Sequence, residues 1–239
     1  SGSKNEFYIS FGSAYQDRLF VGGTIGFPNI EYNERNTIRE TNASSLDEIL
    51  EPDGYEYFTS LFTSGSGINL KLGLIYKLDE SIRYGLAIHT PTYYEISEEY
   101  WTSMNTNFMN GIENFSSESY LGFFDYQLST PFKMINSLSL IINKSAIISV
   151  DYELLDYSSS NLSADFYNFT DTNNDIDSYY TRTSNLRLGG EIRLHNQLSL
   201  RGGYAYYGSP FAGNYNDASQ EFLSLGAGLN VNQYFFDMA

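Results

Sequence analysis

Apolar and polar residues alternate along most of this chain. In INLKLGLIYKL (68–78), Ile68, Leu70, Leu72, Leu74, Tyr76 and Leu78 take one parity; Asn69, Lys71, Gly73, Ile75 and Lys77 take the other. SIRYGLAIHT sets Ile82, Tyr84, Leu86 and Ile88 against Arg83, Gly85, Ala87 and His89. SAIISVDYELL sets Ala146, Ile148, Val150, Tyr152 and Leu154 against Ser145, Ile147, Ser149, Asp151 and Glu153. A period of two means β-strands with two chemically distinct faces. Strands are expected at 5–15, 18–31, 66–78, 81–94, 119–142, 145–158, 183–194, 197–208, 221–231 and from 233 onward, about ten in all.

The strands come in pairs joined by very short links: Gln16-Asp17, Asp79-Glu80, Asn143-Lys144, His195-Asn196 and Asn232. Asn and Asp tolerate the left-handed backbone of tight hairpins. Between the pairs run long polar connections at 32–65, 95–118, 159–182 and 209–220. Short turns alternating with long loops are the rhythm of an up-and-down antiparallel barrel, and outer-membrane barrels have that asymmetry. A β-sandwich spreads its loop lengths more evenly. An apolar face toward lipid and a polar face toward a lumen also explains the tyrosines near loop-side strand ends (Tyr93, Tyr94, Tyr204, Tyr206, Tyr207) as an interfacial girdle. A soluble barrel or sandwich, with the apolar face inward, is the alternative.

Composition adjusts this picture in three ways. Aromatics reach 17%, with 22 Tyr and 17 Phe but one Trp, a bias suited to a membrane β-protein. The absence of Cys removes disulfides and thiolate metal sites. A net charge of −16 argues against nucleic acid or an anionic surface as partner. No run approaches the roughly 20 apolar residues of a spanning helix, and mean hydropathy averages the two faces of a barrel strand together.

Four stretches resemble the FadL/TodX family of outer-membrane transporters for long-chain fatty acids and other hydrophobic compounds: GINLKLGLIYKLDESIRYGLAIHTPTYY (67–94), YQLSTPFKMINSLSLII (126–142), ISVDYELLDYSS (148–159) and NLRLGGEIRLHNQLSLRGGYAYYGSPF (185–211). The resemblance implies an all-β, up-and-down transmembrane barrel of the bacterial outer membrane, fourteen-stranded in the family and plugged by an N-terminal hatch. It implies passive uptake of fatty acids or other hydrophobic compounds through the lumen, no enzyme activity and no cofactor. Residues 1–239 are expected to form a single barrel domain, with hatch and closing strands lacking. Hydrophobic small molecules and outer-membrane lipids are the expected partners. A protein partner in a secretion or assembly complex is the alternative, with acidic loops gripping another protein. A barrel lipase is a third reading, with His89 as its only lumen-facing base.

Candidate site residues fall into two groups. In EEYWTSMNTNFMNGIENF (98–115), Tyr100, Met104, Phe108 and Ile112 recur every four residues, and Trp101 and Met109 widen the stripe. On a helix this is one apolar face, suited to capturing acyl chains or to packing on neighbouring loops. A capping box at Ser45-Leu46-Asp47-Glu48 suggests a second short helix ahead of Ile49 and Leu50. The polar parity contributes Arg83, His89, Asp151, Glu153, Arg187, Glu191, Arg193 and Arg201. An Arg there suits a solute carboxylate, and a structural ion-pair network suits the set equally. Pro131 is expected to open the strand wall or to sit at a bulge. DTNNDID (171–177) echoes a calcium loop, but Ile176 stands where Gly is needed, so a solvated acidic loop is expected.

Overall fold

The computed structural model describes residues 1–41, 52–108, 114–194, 197–213, 216–231 and 234–238. The chain is all-β apart from one α-helix and one 3-10 turn, and its strands join into a fourteen-stranded sheet. In chain order they are β1 Gly2–Tyr15, β2 Leu19–Thr41, β3 Pro52–Lys77, β4 Ile82–His89, β5 Tyr93–Phe108, β6 Phe115–Glu118 and β7 Gly122–Ser129. Then follow β8 Lys133–Ile142, β9 Ala146–Asp156, β10 Asn161–Ser163, the helix α1 Thr170–Tyr179, β11 Arg182–Leu194, β12 Leu198–Tyr207, β13 Gln220–Val231 and β14 Tyr234–Met238.

The contacts divide these strands between two compact units, and β1, β2, β3, β5 and β7 contribute residues to both. One unit takes Tyr8–Gly26, Ile68–Tyr93 and Leu128–Ala239. Apart from the three-residue β10, its main strands run in the order β1-β2-β3-β4-β8-β9-β11-β12-β13-β14. These are the ten strands that alternation predicts, in chain order, as an up-and-down meander requires. The other unit takes Ser1–Phe7, Phe27–Gly67 and Tyr94–Gln127. There β7, β5, β3 and β2 lie side by side, with β6 paired to β5.

Two predicted strands are interrupted. The chain of 81–94 leaves the ladder at Thr90-Pro91-Thr92, and that of 119–142 leaves it at Thr130-Pro131-Phe132. Proline has no N–H to donate, so the pairing stops there. Threonine hydroxyls fill the gap: Leu70 N–H donates to Thr90 Oγ1 at 3.0 Å, and Thr92 N–H donates to Thr130 Oγ1 at 2.9 Å. Pro131 is therefore a break between β7 and β8.

The long connections depart furthest from expectation. Residues 32–41 and 52–65 continue β2 and β3, and most of 95–118 is β5 and β6. The stripe expected on a helix is strand: Tyr100, Trp101, Met104 and Phe108 all lie in β5. A spacing of four is also a multiple of two, so Tyr100, Met104 and Phe108 share a strand face as readily as a helix face. The capping box at 45–48, together with Met109, Ile112, His195, Asn196 and Asn232, lies outside the described residues. DTNNDID is helical, within α1. Asn173 fixes that helix to β10 through a two-way pair with Leu162, its Nδ2 donating to the carbonyl and its Oδ1 accepting the N–H, both at 2.9 Å. Asp171 and Asp175, four apart, share a helix face while Asp177 lies on another, and no group of three or more acidic or histidine side chains is placed to hold a metal ion among the described residues.

The short links that are described are tight turns. Gln16, Asp17, Asn143 and Lys144 all have positive φ, between 47° and 58°. Such pairs match the right-handed twist of the flanking strands. At Asp79 the carboxylate accepts the N–H groups of Ser81 and Ile82, at 2.6 and 2.8 Å. The left-handed backbone costs a non-glycine residue about 1–2 kcal/mol, and a β-branched side chain tolerates it worst. Lys144→Gly is therefore expected to hold or raise stability, and Lys144→Val to lower it by about 1–2 kcal/mol. Urea unfolding of the two variants in detergent checks this.

Candidate functional site

In the ten-stranded unit, backbone register decides which side chains share a face, because residues directly opposite one another in a ladder project the same way. One face carries Leu72, Leu138, Ile148, Leu188, Leu200 and Leu225. Each is exposed: Leu72 at 47%, Leu188 at 43% and Leu200 at 40%. The other face carries Glu153, only 5% exposed, with Asn185 beside it. Soluble sheets hide their apolar face; this one presents it.

The polar parity assembles into two clusters. Glu153 is held on three sides: Asn185 Nδ2 donates to it at 2.7 Å, and Lys133 and Arg187 each form an ion pair with it at 3.4 Å. Asn185 Oδ1 in turn accepts the Gly208 N–H at 3.1 Å, and Arg187 stands 3.9 Å from Asp151. In the second cluster Glu191 accepts from Arg193 at 3.0 Å and from Arg201 at 2.8 Å, and Arg201 also pairs with Asp237. Six of the eight polar candidates are thus structural partners of one another. The remaining two, Arg83 and His89, are not among these pairs, although His89 borders the first cluster at Lys133. Arg83 lies opposite Lys77 and Ser139, and His89 lies opposite Lys71 and Lys133.

Sequence reading missed Lys133, Asn185 and Asp237. Lys133 and Asn185 have the polar parity of their strands, so register was the signal that would have found them. Asp237 becomes visible only once β13 and β14 are paired.

Between the charged positions the polar face is nearly bare. Ser139, Ser149, Gly189, Gly203 and Ser224 are successive partners across β8, β9, β11, β12 and β13. Every residue in that row is Gly or Ser, and a 400 Å³ recess opens over Ser149, Gly189, Gly203 and Ser224. A second recess of 610 Å³, largely apolar, lies over Gly22, Gly73, Ile75, Gly85 and Ala87, with Lys71 and His89 also lining it. The face therefore holds open space next to fixed charge.

In the other unit, β5 carries the predicted capture residues on both of its faces. Tyr100 and Met104 are exposed and Phe108 is half-buried, all of one parity. Trp101, of the opposite parity, packs on Phe58 with ring centroids 5.0 Å apart. Beside Tyr100 on its own face, Glu98 accepts a hydrogen bond from the Tyr126 hydroxyl at 2.8 Å and a longer one from Thr63 at 3.4 Å. No group of three or more His, Cys, Asp or Glu side chains placed to hold a metal ion occurs among the described residues, nor does any helix long and apolar enough to cross a membrane.

These features define a class: an all-β, up-and-down antiparallel sheet with its apolar face exposed and its charges paired on the opposite face. Solved structures share the fold. A FadL homologue from Pseudomonas aeruginosa superposes with a TM-score of 0.67 at 13% identity, over 98% of this chain and 57% of its own. The toluene transporter TodX from P. putida gives 0.61 at 13% identity, over 95% of this chain and 59% of its own. A TodX mutant described as a monoaromatic hydrocarbon channel gives 0.55 at 14%, over 95% of this chain and 61% of its own. The chain therefore spans about three-fifths of the length of these proteins. No protein-family profile and no curated protein sequence matches it.

Removing the Glu153 carboxylate leaves Asn185, Lys133 and Arg187 without their shared acceptor. Because the two cations are about one-third exposed, water recovers part of the loss. Glu153→Ala is expected to cost about 1–3 kcal/mol. Adding Lys133→Met to Glu153→Gln is expected to cost less than the two single changes summed, and a double-mutant cycle by urea unfolding measures that coupling.

Proposed function

We propose that this chain belongs to a bacterial outer-membrane protein that passes hydrophobic compounds, long-chain fatty acids or neutral hydrocarbons, through a lumen formed by the polar face of the sheet. The observation that carries the reading is the exposed apolar face. Leu72, Leu138, Leu188 and Leu200 project from one side while Glu153 and Asn185 are buried on the other, an inversion that hydrocarbon around the sheet accounts for and water does not. The solved FadL homologue and TodX support it by fold, and TodX is itself a transporter of toluene. In this reading the aromatic residues of β5 gather solute from solution, by burial of apolar area at about 25 cal/mol per Å². The Gly and Ser row then leaves room for the solute to diffuse past the fixed charges. The protein does no covalent chemistry on the solute, and movement follows the concentration gradient.

The complete protein, expressed in the outer membrane of a bacterium that lacks its own hydrophobic-compound transporter, is expected to restore uptake of a long-chain fatty acid or an aromatic hydrocarbon. Gly189→Phe together with Ser149→Phe fills the row and is expected to reduce that uptake several-fold while folded protein still reaches the membrane. Unrestored uptake with folded protein present, or a partner protein recovered in stoichiometric amount with no bound lipid, points instead to an interaction role. The membrane placement has its own check. Leu188→Lys on the apolar face is expected to lower folding stability in lipid vesicles by about 2–4 kcal/mol if that face meets the bilayer midplane, whereas a solvated face would tolerate the change.

A further inference from the structure

We infer that the aromatic surface of β5 takes its solute in uncharged form: as a hydrocarbon, as an alcohol, or as a fatty acid only in its protonated state. The inference rests on the transport reading and narrows its solute class. Residues 1–7, 27–67 and 94–127, which form the unit containing β5, hold three Lys or Arg against fifteen Asp or Glu, a net of −12 out of the chain's −16. From Thr90 through Phe132 there is no Lys, Arg or His at all, and none from Glu40 through Leu70. Two of the three cations already have company. Arg39 is paired with Glu56, and the Lys4 ammonium stands 5.9 Å from the centre of the Tyr94 ring.

The carboxylates are interleaved with the aromatic residues themselves. Glu98 shares the parity of Tyr100, Met104 and Phe108, and Glu95 and Glu99 share the parity of Trp101. Glu98 is fixed in place by Tyr126 and Thr63. Lys4 stands only at the Tyr94 end of β5, so an ionised carboxylate reaching the strand beyond it, from Glu95 to Phe108, would lose water beside like charges with no Lys, Arg or His of that segment to replace it. An uncharged solute meets the same aromatic area without that penalty. Where β5 is half-buried, the repulsion is weakly screened, since mobile ions screen exposed charges over about 10 Å at 0.1 M salt and reach buried ones poorly.

Trp101 is the single tryptophan of residues 1–239, and a Trp101→Phe control assigns the emission change to this surface. Full-length protein in neutral detergent is titrated with decan-1-ol and with decanoate at low ionic strength. At pH 7.5 the alcohol is expected to reach half-effect at a concentration at least about tenfold lower, a 1.4 kcal/mol difference. Lowering the pH toward the ordinary carboxyl range, near 4.3, is expected to close most of that gap. The triple variant Glu95→Gln, Glu98→Gln, Glu99→Gln is expected to narrow it at pH 7.5 with no change of pH. Decanoate matching the alcohol at pH 7.5 overturns the uncharged-solute inference and leaves transport standing. Silence of Trp101 toward both ligands, with the protein folded, overturns the two together.

Discussion

A β-sheet with one apolar face has to place that face somewhere, and everything else in this protein follows from where it lies. Alternation along each strand sends leucine and isoleucine one way and charge the other. In the ten-stranded unit the leucines are the exposed group. The charges on the opposite face then need partners from within the sheet, and register provides them. Glu153 meets Lys133, Asn185 and Arg187 from flanking strands, and Glu191 meets Arg193 and Arg201. A slip of one residue in any of these ladders would exchange the faces and break both clusters at once. The ion pairs contribute more to fixing register than to raw stability, since partly exposed pairs are individually weak.

The ten-stranded unit was legible in the sequence because its chemistry is periodic. Each predicted strand there has a counterpart in the right order, and the turns at Gln16-Asp17 and Asn143-Lys144 fall where the chemistry of those residues puts them. The other unit was hidden for a physical reason. In NERNTIRE (33–40) and SEEYWTSMNTN (97–107), polar residues occupy both parities, so no face stands out and the segments resemble loops. Strand pairing there is held by backbone bonds and scattered side-chain contacts such as Ser97 with Asp125, which leave no trace in a hydropathy pattern. The helix α1 was hidden for a different reason. Its acidic, asparagine-rich sequence has little intrinsic helical preference, and its anchorage through Asn173 to β10 is a tertiary contact.

The candidate site was legible in its residue types and less so in its grouping. The polar candidates were found by parity, but parity does not say which of them neighbour one another. Pairing does, and it turned six of the eight into two closed networks. The Gly and Ser row escaped notice because its members lie on five strands and are commonplace one at a time. Their significance comes from alignment: Ser139, Ser149, Gly189, Gly203 and Ser224 form one cross-strand row of small or absent side chains.

The two Thr-Pro interruptions have a consequence for how such a chain can diversify. A ladder transmits register, so an insertion or deletion in one strand normally shifts every neighbour beyond it. At Thr90-Pro91 and Thr130-Pro131 that transmission is weakened: each threonine keeps one backbone bond, Thr90 N–H to the Leu70 carbonyl and Thr130 N–H to the Thr92 carbonyl, and its hydroxyl accepts the return N–H in place of an amide carbonyl. A change between those points, within residues 93–129, then reaches β4 and β8 chiefly through β3, which pairs with both β5 and β4. Change in the segment between the two prolines is thereby partly insulated from the strands on either side.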